Sequence, residues 1–358
     1  MSPNSAKLLP EVSALLELTR GPQSLTVLQA EAIAATKTSA GNWQEAHLQL
    51  RELQNSSELT AAQKLQLASC ERHYLTLFAG YENYQACFQS AAALLSTEHL
   101  GASINLLCTT ARNGACAGNF EHALEQLTQA FEWILSEQLC ESHTTVFSTA
   151  VFVCNRMGQH QLALKFARIN FNIARFLQIE IELQMANFIR LNCYRLTGQG
   201  REKSGYQWLL KQLEKGRLKF DTVNQFLVPV YAARAALDKS QPDCRSARRS
   251  LDRASQMGAD ASDYAMSQYL VALACYQLAY GEKQQAQDAT LEAEFVLNEA
   301  DVSLKQRIAS LRHHLGLSHV QSNQQIEYKQ ASEVTWLRFF SRSNKSSKRV
   351  RRDLGAED

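Results

Sequence analysis

Gly118-Asn-Phe-Glu-His-Ala-Leu-Glu-Gln-Leu-Thr-Gln-Ala130 is the stretch whose reading decides the fold. It opens on a glycine, places alanine five residues later, and continues with Leu127 and Ala130. Ala123, Leu127 and Ala130 are spaced four and three apart, which puts them on one face of a helix. The same phrase stands at Gly41-Asn-Trp-Gln-Glu-Ala46, Gly158-Gln-His-Gln-Leu-Ala163 and Gly281-Glu-Lys-Gln-Gln-Ala286. Gly80 and Gly198 fill the gaps, so a glycine recurs about every forty residues, the mark of a stacked-repeat architecture.

Each unit reads as two helices with the glycine between them. Leu65, Leu67, Tyr74, Leu75 and Phe78 precede Gly80, and Phe147, Val151, Phe152 and Val153 precede Gly158, with helical apolar spacing. A glycine just past such a run takes the left-handed conformation that ends a helix without a Cβ penalty. The second helix then carries small residues where it must approach its partner. The expected inward rows are Ala46, Leu50, Leu53; Ala86, Ser90, Ala93; Ala123, Leu127, Ala130; Ala163, Ala167, Asn170; Ala247, Leu251, Ala254; and Ala286, Thr290, Ala293. Thr60-Ala-Ala-Gln63 has the form of a capping box, and Asp221 and Asp301 are candidate N-caps. The sixth unit lacks a glycine and has Lys239-Ser-Gln-Pro-Asp243 at its turn. The fifth is the weakest, with no alanine after Gly198 and Trp208 at an expected inward place.

These features predict an all-α protein, a right-handed α-α superhelix of about seven helical hairpins plus capping helices. The units fall near 23–57, 58–96, 97–138, 139–178, 179–217, 218–257 and 258–299. Residues 1–22 form an N-terminal helix or cap, 300–322 a C-terminal capping helix, 323–340 an amphipathic helix and 341–358 a basic disordered tail.

The glycine-aromatic-alanine phrase, with alanine again twelve residues earlier at Ala34, Ala111, Ala235 and Ala274, resembles the second half of the tetratricopeptide repeat. The resemblance covers about 280 residues, and the units at 118–131 and 281–293 are nearest the pattern. The period exceeds the usual 34 residues, the first-helix Trp and Tyr are mostly missing, and the terminal proline is absent. It is similar to the longer-helix variant in regulatory regions of bacterial signalling proteins. The resemblance implies a non-catalytic scaffold that binds protein or peptide in a concave groove. The alternative it implies is a sensor module that binds a small ligand and controls a signalling or transcription partner.

Composition narrows the classes further. A net charge of +2 gives no global pull toward nucleic acid. Nine cysteines, an odd number with no CxxC pair, sit mostly in apolar helical runs and read as reduced core thiols of a cytoplasmic protein. No signal-like start and no spanning apolar run is expected. No Walker loop, His-Glu-x-x-His or Gly-x-Ser-x-Gly occurs, and the adjacent His313 and His314 diverge on a helix, so neither catalysis nor a metal or other cofactor is expected.

Two sets of residues carry candidate function. The resemblance places Asn105, Arg112, Asn155, Arg156, Asn192 and Arg195, with Lys239 further along, near the concave face. Arginine forks carboxylates and asparagine bonds both groups of a peptide backbone, so this set suits an acidic protein or peptide segment. The plain reading is that they are solvated helix ends. The second set is at the C-terminus, where Trp336, Phe339 and Phe340 precede Lys345, Lys348, Arg349, Arg351 and Arg352. A disordered tail behind a docking helix, contact with a membrane surface, contact with nucleic acid and a linker to a downstream domain all fit that pattern.

Overall fold

The computed structural model describes residues 55, 59–78, 88–89, 91–199, 203–218, 220, 222–238, 241–257, 263–297, 301–317 and 331–355. The expected N-terminal cap, the first unit with Gly41 and Ala46, the turn at Gly80 and Ala86, the Asp221 cap and Lys239 lie outside them. The described residues are helical, with no strand among them. Thirteen α-helices follow in order: α1 Ala61–Phe78, α2 Leu100–Cys116, α3 Phe120–Ile134, α4 Glu141–Arg156, α5 His160–Leu177, α6 Glu180–Leu196, α7 Lys203–Glu214, α8 Thr222–Leu237, α9 Cys244–Met257, α10 Asp263–Tyr280, α11 Lys283–Val296, α12 Val302–Leu315 and α13 Glu333–Asp353.

The glycines end helices as their spacing predicts. Gly118, Gly158, Gly198 and Gly281 all have φ between 67° and 89°. In each case the next N–H reaches back five residues: Asn119 to the Gly114 carbonyl, Gln159 to Cys154, Gln199 to Tyr194 and Glu282 to Gln277, at 2.8–3.1 Å. That repeated bond satisfies carbonyls the helix end would otherwise leave open. Starts are equally local. Thr60 and Gln63 form the reciprocal box, and Asp301 Oδ1 accepts from the Leu304 N–H at 2.8 Å.

Small inward residues let consecutive helices touch. Ala123, Leu127 and Ala130, Ala163, Ala167 and Asn170, Ala247, Leu251 and Ala254, and Ala286, Thr290 and Ala293 are all buried, as are Ala111, Ala235 and Ala274 on the preceding helices. They join the pairs α2/α3, α4/α5, α8/α9 and α10/α11. The first helices of neighbouring pairs also meet, α2 with α4 and α8 with α10. Among α2–α5 the interior thickens into a Phe cluster, with Phe131 and Phe147 edge-on at 5.3 Å and Phe166 about 6.0 Å from both.

Three expectations need correction. Ala93 is exposed, because the helix of its unit stops at residue 92 and Ala91 takes the buried place. Trp208 is 45 % exposed. The close-approach residue of the fifth unit is Gly205, where a Cβ would stand 2.4 Å from Leu191 Cδ2. Gly205 follows Gly200 by five residues, so the phrase survives behind a two-residue insertion. Helix α7 accordingly touches α6 locally and packs mainly on α8, while α6 leans on α5.

The third correction concerns the C-terminus. The basic segment from 341 is no tail: α13 runs unbroken from Glu333 to Asp353 and packs along α3, with a smaller contact to α5. Ser332 caps it, and Phe339 is fully buried, about 6 Å from Phe131 and Phe166. Ser343, Ser346, Ser347 and Val350 line the same buried face, and Ser346 Oγ donates to the Phe131 carbonyl. Serines allow close helix approach because each hydroxyl can turn back onto a carbonyl. The expected boundary at 340 missed this because the Lys and Arg residues hide a period-four row of small side chains.

Candidate functional site

The chain bends back on itself so that α12 meets α4. Val302 lies beside Gly158, and the Asp301 carboxylate that caps α12 stands 3.6 Å from Arg156 at the end of α4. Between these helices lies a cavity of about 510 Å³. Its walls come from one side of α2, α4, α6, α8 and α10, together with the start of α12 and Asn170 from α5.

Five of the seven residues expected at the concave face line this cavity: Arg112, Asn155, Arg156, Asn192 and Arg195. Asn105 is exposed and lies outside the wall, and Lys239 is beyond the described residues. Arg190, one turn before Arg195, turns away and lies 3.6 Å above the Phe171 ring. Asn105 and Arg112 are exposed, as the solvated-end reading has it, whereas Arg156 is 3 % and Arg195 7 % exposed.

The buried guanidiniums are held flat by rings. Arg156 lies 4.8 Å from the centroid of Phe152 and 4.0 Å from that of Tyr264. Arg195 lies 5.2 Å from Tyr231. A ring face favours a cation electrostatically and keeps water away from it. Arg195 Nη2 donates to Asn192 Oδ1 at 2.8 Å, and its Nη1 approaches Asp238 Oδ2 at 3.5 Å. Asp238 is shared, because Arg307 from α12 also donates to it at 2.8 Å. Arg112 sits at the exposed rim, with its guanidinium on Thr149 and Ser148 of α4.

Sequence reasoning missed Arg234, Tyr231, Tyr264, Gln268 and Glu182, all on the same wall. Arg234 is 6 % exposed and donates through Nη1 to Gln268 Oε1 at 2.8 Å. Burial, and then the neighbouring Arg195, pull its guanidinium down to about 10, still protonated at neutral pH. The signal that could have found it is its place next to Ala235, the counterpart of Ala111 beside Arg112. The sixth unit has no glycine to set that register. Asp301 was read as a cap only, and it does both jobs.

The C-terminal set is dispersed. Phe339 is in the core and Trp336 is half-buried against it, so neither is free to enter a membrane. Phe340 is 39 % exposed. Arg349 donates to the Glu137 carbonyl and pairs with Asp353, while Lys345, Lys348, Arg351 and Arg352 remain exposed along α13.

Cys108, Cys116, Cys140, Cys154, Cys193, Cys244 and Cys275 are free thiols. Burial pushes Cys108 up to about 11 and Cys193 to about 12, which suits thiols that serve as small core groups. Among the described residues no group of His, Cys, Asp and Glu could hold a metal, and no helix is long and apolar enough to cross a membrane. The chain matches no protein-family model, and no curated protein matches it in sequence.

Proposed function

We propose that this chain is a non-catalytic binding module, a superhelix of tetratricopeptide-like hairpins that receives a segment of a protein partner in the cavity between its first helices. One observation carries the reading: polar side chains from five successive hairpins converge on one buried space, when the core needs none of them there. A buried polar group without full hydrogen bonding costs free energy, so such a wall is retained where something else completes it. The repeated glycine caps and alanine rows support the tetratricopeptide-like architecture, and scaffold and signalling roles follow from it by analogy.

The approach of α12 to α4 favours the second reading, a sensor for a small ligand, because it bounds the space instead of leaving a long open groove. A space of this size is that of pockets for drug-sized ligands, on the order of 300–1,000 Å³.

The test is a rim substitution that fills the space and spares the buried arginines, whose reversal to glutamate would leave charges unpaired in the core. Thr145→Trp lies half-buried on the cavity wall. Partners retained from lysate by wild type and lost with Thr145→Trp, at unchanged helical circular dichroism, are the expected result. Identical retention by both proteins would remove the cavity from the function.

A further inference from the structure

The geometry points to an oxyanion seat at Arg195 and Arg234, made to take the carboxylate of an organic acid or of an acidic side chain. This rests on the reading of the cavity as a binding site and adds the ligand's chemistry to it. Among the described residues, Arg195 Nε, Arg234 Nε and Asn170 Oδ1 are buried on the cavity wall with no hydrogen-bond partner. Arg234 has no carboxylate within ion-pair distance among the described residues; its partner is the neutral Gln268. Among the described residues the one carboxylate paired with Arg195 is Asp238, at 3.5 Å, and it is closer to Arg307.

Charge is out of balance in the same place. Arg112, Arg156, Arg195 and Arg234 line the cavity against Glu182 and Asp301, and behind them Arg307 faces Asp238. Among the described residues, five guanidiniums therefore meet three carboxylates. A buried cation lacking a full partner is a strongly unfavourable arrangement, and folding alone would select an apolar residue at Arg234. Guanidinium offers only donors in a planar fork, whose natural complement is a carboxylate. The same wall also carries apolar side chains, Met185, Phe188, Ile189 and Leu227. It would cover the hydrocarbon part of an organic acid, which inorganic phosphate lacks.

Binding is measured as the thermal midpoint of the full chain at constant ionic strength, with succinate, citrate, a short Asp/Glu-rich peptide, inorganic phosphate and chloride as separate additions. The wild type is expected to gain stability from a carboxylate probe beyond the chloride control. A response to succinate or citrate assigns a free acid, and a response to the peptide alone assigns a segment of a protein partner. Arg234→Gln is expected to match or exceed the unliganded wild-type midpoint, because it removes the uncompensated cation, and to lose about tenfold or more in affinity, about 1.4 kcal/mol. If Arg234→Gln fails to fold, Arg195→Gln takes the same measurements. No carboxylate response beyond chloride, a response to phosphate alone, or an unchanged response in the folded variant overturns the seat. Capture of a partner that is lost with Thr145→Trp but intact in Arg234→Gln would sink the seat and leave the cavity reading standing.

Discussion

Helix α4 has two faces, and they use burial for opposite ends. One face carries Phe147, Ala150 and Cys154 into the packing with α3 and α5, where each has ring or alkyl neighbours on all sides. The other carries Ser148, Phe152, Asn155 and Arg156 toward the cavity, where the guanidinium is as deeply buried but sits between rings and the Asp301 carboxylate 3.6 Å away. The first face is complete as it stands. The second faces a cavity whose other walls have donors left over at Arg195 and Arg234, and that surplus, not burial itself, marks the site.

The largest effect should come from the complete face. Phe147→Ala removes a ring at the centre of the Phe cluster and should cost about 3–5 kcal/mol, read as a lowered urea midpoint. A loss below about 1 kcal/mol would show that the cluster collapses freely, and the contrast between faces would fail. Ala163→Leu comes next: its side chain has no space where α5 meets α4, and overpacking should cost about 1–3 kcal/mol. A neutral result would mean that the alanine rows follow sequence history and not close approach.

How far the chain could be read follows the same division. Glycine caps and alanine rows act over a few residues, through φ and through helix-to-helix distance, so the period at Gly118, Gly158 and Gly281 located the pairs and their inward rows directly. Asn155, Arg156, Asn192 and Arg195 were legible as a set because they recur near those glycines. Arg234 and Asp301 were not, since their roles depend on α8 and on α12 meeting α4, a contact between residues far apart in sequence. Phe339 and the serines of α13 were hidden for a different reason. Their row is interrupted by Lys and Arg at every turn, and only the grooved surface of α3 shows which face is buried.

A smaller effect should appear on the cavity face. Phe152→Leu keeps most of the apolar volume but removes the ring 4.8 Å from Arg156, at a cost of about 1 kcal/mol in stability. It should weaken ligand binding more than Ala163→Leu does, although Ala163→Leu is the more destabilising change. The opposite ranking would break the assignment of the two faces.

The finest test separates the start of α4 from the cavity by pH. His143, at the start of α4, is buried, and its Nδ1 accepts from the Cys140 N–H at 3.3 Å, which requires the neutral ring. Burial lowers its pKa below the ordinary 6.5, and Arg349 on α13 lowers it further, against opposing contributions from the Ile134 and Cys140 backbone and from Asp353. Below about pH 6.5 the unfolded chain therefore binds more protons than the folded one. Stability is full above that pH and falls as the solution is acidified through the folded pKa. His160 is lowered too, by burial first and by Arg195, with Asp301 opposing, so the cavity side adds a slope of the same sign. Replacing His143 with Gln should flatten part of the fall in urea midpoint between about pH 7.5 and 5.5 and leave the His160 part. A slope identical to wild type would mean that burial at the start of α4 does not hold the ring neutral, and the acid sensitivity would then belong to the cavity side alone.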